Sequence, residues 1–173
     1  MRGAALIVCL ALFLPPPSLA AEVTKVPGRW SFSGEGQARL GLSYRDGNLH
    51  PYFFYAACNN RDRATYAFIE IPPADFVGLI AAGKYLRLLS RNANSQIELL
   101  VDSIHLNEAG PYAWVPTFKI DRPVLEQWAQ PGRLEIQIGE RTRGGFLVSK
   151  SYELPEQNRT VAAKAFISAC FDP

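Results

Sequence analysis

Few residue sets in this sequence can do covalent or acid–base chemistry. A serine triad needs a histidine base, and only His50 and His105 are available. His50 precedes Pro51 at the start of a strand, and His105 sits in Ser103-Ile104-His105-Leu106 near a strand edge. Both read as surface or hairpin histidines. No Gly-x-Ser-x-Gly elbow is present. No His-Glu-x-x-His or Cys-x-x-Cys is present either, so zinc has no recognisable ligand set. Gly34-Glu35-Gly36 lacks the helix and lysine that a phosphate cradle needs. No catalytic, cofactor-binding or metal-ligating residue is therefore expected. A carboxylate pair is the one catalytic device that spacing alone does not test, because two distant acids can meet in space. Glu70, between Ile69 and Ile71, and Asp102, after Val101, are the acids least like ordinary surface charge. A hydrolase built on such a pair stays open as an alternative to a binding role.

The cysteines depend on what happens at the N-terminus. Met1-Arg2-Gly3 leads into the uncharged run Ala4 to Leu14, then Pro15-Pro16-Pro17 and Ser18-Leu19-Ala20. A short basic region, an apolar region and a small-x-small site stand in the order of a cleavable secretion signal. The apolar run is too short for a membrane span, which takes about 20 residues. Residues 1–20 are read as a signal peptide and residues 21–173 as one mature domain, exported to the periplasm or secreted. No later stretch is apolar enough to span a bilayer.

Of the three cysteines, Cys9 leaves with the signal. Cys58 and Cys170 remain, and two cysteines in an oxidising compartment most simply form one disulfide. A reactive thiol or a metal ligand are the competing readings. A loop of roughly 110 residues closed by that bond is worth about 4–5 kcal/mol by chain entropy.

Charge excludes one class of partner. The chain has 18 Lys and Arg against 16 Asp and Glu, scattered along its length. An even balance gives no electrostatic case for nucleic acid or an anionic membrane surface. No cofactor is implied.

The elements that must position any site are mostly short strands. Trp30 and Phe32 alternate with serines, and Ala38, Leu40, Leu42 and Tyr44 alternate with Gln37, Arg39, Gly41 and Ser43. Arg45-Asp46-Gly47-Asn48 carries a hairpin-turn signal. Leu49 to Cys58, Thr65 to Ile71, Tyr85 to Leu89, Ile97 to Val101 and Tyr112 to Ile120 read as further strands, with Ser90 to Gln96 as a loop. Leu134, Ile136 and Ile138 give the cleanest alternation, and Gly144-Gly145 turns that strand into Gly145 to Tyr152.

Helices are expected over Ala74 to Ala82, from an Asp121 N-cap through Trp128, and over Glu156 to Ala169. The last would pack through Val161, Ala162, Ala165, Phe166 and Ala169. The pattern predicts a mainly β fold. It would be an antiparallel β-sandwich or barrel-like domain with two or three short helices, one of them C-terminal.

Two surfaces are candidates for binding. In the aromatic strand Tyr52 and Phe54 share one face, with Phe53 and Tyr55 on the other, and an uncovered face would form a patch. Arg141 and Arg143 lie in a hairpin turn, and a rigid loop from Arg141 to Gly145 would suit an inhibitor of a foreign enzyme. Asn158-Arg159-Thr160 is a formal glycosylation sequon.

The order of elements carries a resemblance. An aromatic strand ends in Cys58-Asn59-Asn60, and Leu100-Val101-Asp102 follows. Trp114-Val115-Pro116-Thr117-Phe118 then leads to a short helix, a strand over Leu134 to Ile138 and a last helix ending in Ala169-Cys170. This layout resembles the small exported bacterial β-sandwich proteins that include the invasion-associated locus B family and the related periplasmic accessory proteins of type VI secretion systems. The resemblance implies a bacterial periplasmic or secreted protein, disulfide-bonded and without known catalysis. It carries no site residues with it. The expected partner is an unidentified envelope or secreted protein.

Overall fold

Alternating apolar and polar residues fold most of the described part of this chain as strands, because alternate side chains can then share one core. The computed structural model describes residues 23–34, 37–43, 52–58, 65–69, 87–107 and 113–172. Among them are β1 (Val23–Lys25), β2 (Arg29–Ser33), β3 (Arg39–Ser43), β4 (Tyr52–Cys58), β5 (Thr65–Ile69) and β6 (Arg87–Asn92). Then come β7 (Gln96–Leu99), β8 (Val101–Asn107), β9 (Ala113–Lys119), α1 (Arg122–Trp128), β10 (Leu134–Thr142), β11 (Gly145–Leu154) and α2 (Arg159–Phe171). The expected helix over Ala74 to Ala82, the Asp46-Gly47 turn, His50 and Glu70 lie outside the described residues.

The strands form two open sheets. One has the order β1-β11-β10-β6-β7, the other β2-β3-β4-β5-β9-β8. All recorded pairings are antiparallel except β1 with β11. The mainly β fold with a C-terminal helix agrees with the sequence expectation. Both sheets feed one core. Leu134, Ile136, Ile138 and Tyr152 come from the first; Leu40, Leu42, Phe54 and Phe118 come from the second. Phe53 meets Tyr152 at 5.3 Å between ring centroids, an aromatic contact from one sheet to the other.

Helix α1 starts as its sequence demands. Asp121 Oδ1 accepts a hydrogen bond from the Val124 N–H at 3.3 Å, and Pro123 sits in the first turn where its missing donor costs nothing. Its Trp128 ring lies 4.8 Å from Phe54 and 5.8 Å from Trp30.

Four expectations are corrected. Phe54 is not on a binding surface: it is fully buried, and so is its neighbour Phe53. The register of β4 against β3 pairs Ser43 with Tyr52 and Leu42 with Phe54, so Phe53 is the extra residue of a β-bulge. A bulge lets two consecutive side chains turn inward, which simple alternation forbids. The Tyr52 side chain lies outside the described set.

Next, Ser90 to Asn92 belong to β6 rather than to a loop. The Ser90 hydroxyl faces the core, where it accepts from Trp128 Nε1 at 2.7 Å and bonds to Gln127 Oε1. Third, Ile97 to Val101 is not one strand. The chain leaves the first sheet after Leu99 and enters the second at Val101, leaving Leu100 largely exposed between them. Last, α2 packs through Arg159, Ala162, Ala163, Phe166 and Cys170, while Val161 is 72% exposed. Those buried positions have helical spacing, but the stripe is turned from the predicted one because Arg159 is drawn inward.

Candidate binding face on the five-stranded sheet

The sheet order and register place particular residues side by side. On the side away from the core, Val23, Ser151, Gln137, Leu89 and Glu98 form one row across β1, β11, β10, β6 and β7. The middle of this row is sunken: Ser151, Gln137 and Leu89 are only 2%, 4% and 6% exposed. Outward-facing sheet residues are ordinarily wet, and among the described residues the side chains of the neighbouring rows flank this one.

One wall is a charged row, Gln96, Arg91, Glu135, Glu153 and Lys25. Glu135 and Glu153 are direct cross-strand neighbours, a repulsive pairing. Arg133 spans them, with Nη2 2.6 Å from Glu135 Oε1 and Nε 3.1 Å from Glu153 Oε2. Glu135 Oε2 also accepts from Gln137 Nε2 and from Ser151 Oγ, both at 2.9 Å.

The opposite wall includes Val148, which pairs with Gly139 beside a second bulge. A Cβ at Gly139 would lie 2.0 Å from the Leu147 carbonyl oxygen, so only glycine lets the strands approach. A groove of about 490 Å³ opens between these walls, lined by Arg91, Glu135, Gln137, Val148, Ser151 and Val23, among others.

The expected binding residues Arg141 and Arg143 border a second groove of about 540 Å³ on the same sheet. Arg141 is not in a loop: it lies in β10 and pairs with Glu98, which also holds Arg87 at 3.3 Å. Arg143 is in the two-residue turn 143–144. The structure thus brings Arg141 and Arg143 to the edge of the sunken face, while Phe54 is on the opposite side of the core. Sequence reasoning missed the groove residues Arg91, Glu135 and Gln137. Alternation with Leu134 and Ile136 marked Glu135 and Gln137 as outward, but nothing local marked them as neighbours of Arg91 and Ser151, and Arg91 fell in a run read as a loop.

The cysteines are brought together. Cys58 at the end of β4 and Cys170 near the end of α2 are both buried thiols. Burial raises the Cys170 pKa above the usual thiol range, and its hydrogen bond with Cys58 adds to the rise. Asp102 and His105 lie exposed on β8. Among the described residues no three His, Cys, Asp or Glu side chains converge as a metal site would need. No helix among them is long and apolar enough to cross a membrane. No family model, curated protein or solved structure matches this chain.

Proposed function

We propose that this chain is an exported, non-enzymatic β-sandwich protein of the cell envelope that binds an envelope component or another protein through the outer face of its five-stranded sheet. The observation that carries this reading is the sunken row Ser151, Gln137 and Leu89, nearly buried on a side of the sheet that faces away from the core. A recess with fixed polar groups on rigid strands is how a binding site is preorganised.

Export fits the same picture. The N-terminal signal would be cleaved after Ala20, so the mature chain would begin at Ala21, two residues before β1. In an oxidising compartment the neighbouring Cys58 and Cys170 thiols close a disulfide between β4 and α2. The Phe53–Tyr152 contact between the two sheets supports a sandwich.

The test is capture from envelope extract on the immobilised, oxidised mature protein. A face variant, Arg91→Glu with Val148→Glu, should lose the captured component while keeping the wild-type circular dichroism spectrum. Lys119→Glu, exposed on the other sheet, should retain it. Equal capture by all three proteins, or none by any, would refute the reading.

A further inference from the structure

The groove on this face has unsatisfied bonding capacity of two kinds. Gln137 is 96% buried, since only 4% of it is exposed, and its Nε2 is committed to Glu135. Its Oε1 has no hydrogen-bond partner. A buried acceptor left unpaired costs roughly as much as a lost hydrogen bond, so it marks a place where a donor belongs. Arg91 lines the same groove. Its guanidinium has no ion-pair partner among the described residues, although Glu135 is its direct cross-strand neighbour. Glu135 is instead engaged by Arg133, Gln137 and Ser151.

These groups define a ligand. Two guanidinium groups line the groove, but Arg133 is held by Glu135 and Glu153, so Arg91 is the one left without an ion-pair partner among the described residues. One unpaired guanidinium suits a monoanion such as a carboxylate better than a dianionic phosphate. Gln137 Oε1 accepts and does not donate, so the ligand must carry a donor near its carboxylate, and a hydroxyl is an uncharged donor of this kind. Val23, Ala93 and Val148 supply apolar surface for a carbon skeleton.

We infer that the groove binds a hydroxylated monocarboxylate of the kind a sugar acid presents. The carboxylate meets Arg91, and a hydroxyl donates to Gln137 Oε1. This rests on the reading of the sheet face as a binding surface and names its ligand class.

Titration calorimetry on the mature protein tests the assignment, with D-glucuronate as probe. D-glucose lacks the charge and acetate lacks the hydroxyls. Both controls should bind at least about tenfold more weakly than glucuronate, the loss expected for one hydrogen bond. Arg91→Gln, an exposed substitution, should abolish the preference of glucuronate over glucose. Gln137→Leu should remove the preference of glucuronate over acetate. A uronic-acid oligosaccharide separates two sources. Tighter binding than the monomer identifies the end of an acidic glycan, and equal binding identifies a free sugar acid; either supports the inference. No glucuronate binding, or unchanged selectivity in Arg91→Gln, overturns it. If envelope capture still depends on the face while glucuronate does not bind, only the ligand class falls.

Discussion

Ser90 shows how one small polar residue can organise a core. It faces inward from β6, fully buried, and satisfies both the Trp128 N–H and Gln127 Oε1. Ser90→Ala would leave those groups unpaired, and urea denaturation should show a loss of about 2 kcal/mol with an unchanged slope. Arg159 is a second such residue. Its Nε donates to the Trp128 carbonyl at 3.0 Å, and its Nη2 donates to those of Gln130 and Gly132 at 2.9 and 2.5 Å. The start of α2 is thereby tied to the chain leaving α1. Burial lowers the guanidinium pKa, and the nearby Glu156 carboxylate opposes that fall. Arg159→Met should cost about 3 kcal/mol or more by thermal unfolding, and Arg159→Lys should recover only part of it, because an ammonium cannot span three carbonyls in a fixed fork. Full recovery by lysine would show that charge alone matters there. Neither residue was legible as a core residue in the sequence. A serine in a polar run and an arginine in a sequon look like surface, and only their distant partners make them otherwise.

At the scale of elements, local pattern located most strands but not their irregularities. Leu134, Ile136 and Ile138 are all fully buried, as their alternation requires. The β4 bulge at Phe53 has no signature in Tyr52-Phe53-Phe54-Tyr55, since either face of that run is apolar. Gly139 stands at another irregularity. Gly139→Ala drives a methyl into the Leu147 backbone, which cannot move without parting β10 from β11. A loss of about 2 kcal/mol is expected, within the range for overpacked sites. Gly144→Ala, with its nearest neighbouring atom 3.9 Å away, should be close to neutral. The pair of melting curves decides whether close strand approach is the cause. Arg133 makes a further element-scale prediction. Arg133→Gln leaves Glu135 and Glu153 facing each other across the ladder, so melting temperature should drop at low ionic strength and recover partly in 1 M salt. Arg133 is 56% exposed, which limits the effect to a fraction of a kcal/mol.

For the molecule as a whole, the Cys58–Cys170 contact couples stability to redox state and pH. The raised Cys170 pKa means that the reduced folded protein holds a proton which the unfolded chain releases in the ordinary thiol range. The folded state then binds more protons, so stability of the reduced protein falls as pH rises through and above that range. The oxidised protein has no such proton and should show no slope from this pair. Oxidation should also stabilise the fold, by up to about 4–5 kcal/mol of chain entropy less any native-state cost, and so raise the melting point. Thiol titration of the denatured, unreduced protein should find no reactive thiol; two would refute the disulfide.

The sequence by itself determined the local facts: alternating strands, an Asp121-capped helix, a hairpin turn around Gly144, a C-terminal helix and an even charge. Each follows from side-chain spacing or backbone preference over a few residues. Only the tertiary structure decided that Phe54 is buried, that Cys170 reaches Cys58, and that Arg91, Glu135, Gln137 and Ser151 border one groove. Those relations depend on strand order and register. Val23, Ser151, Gln137, Leu89 and Glu98 form a row because β1, β11, β10, β6 and β7 lie in that order, an outcome of global packing that no short stretch of chain encodes.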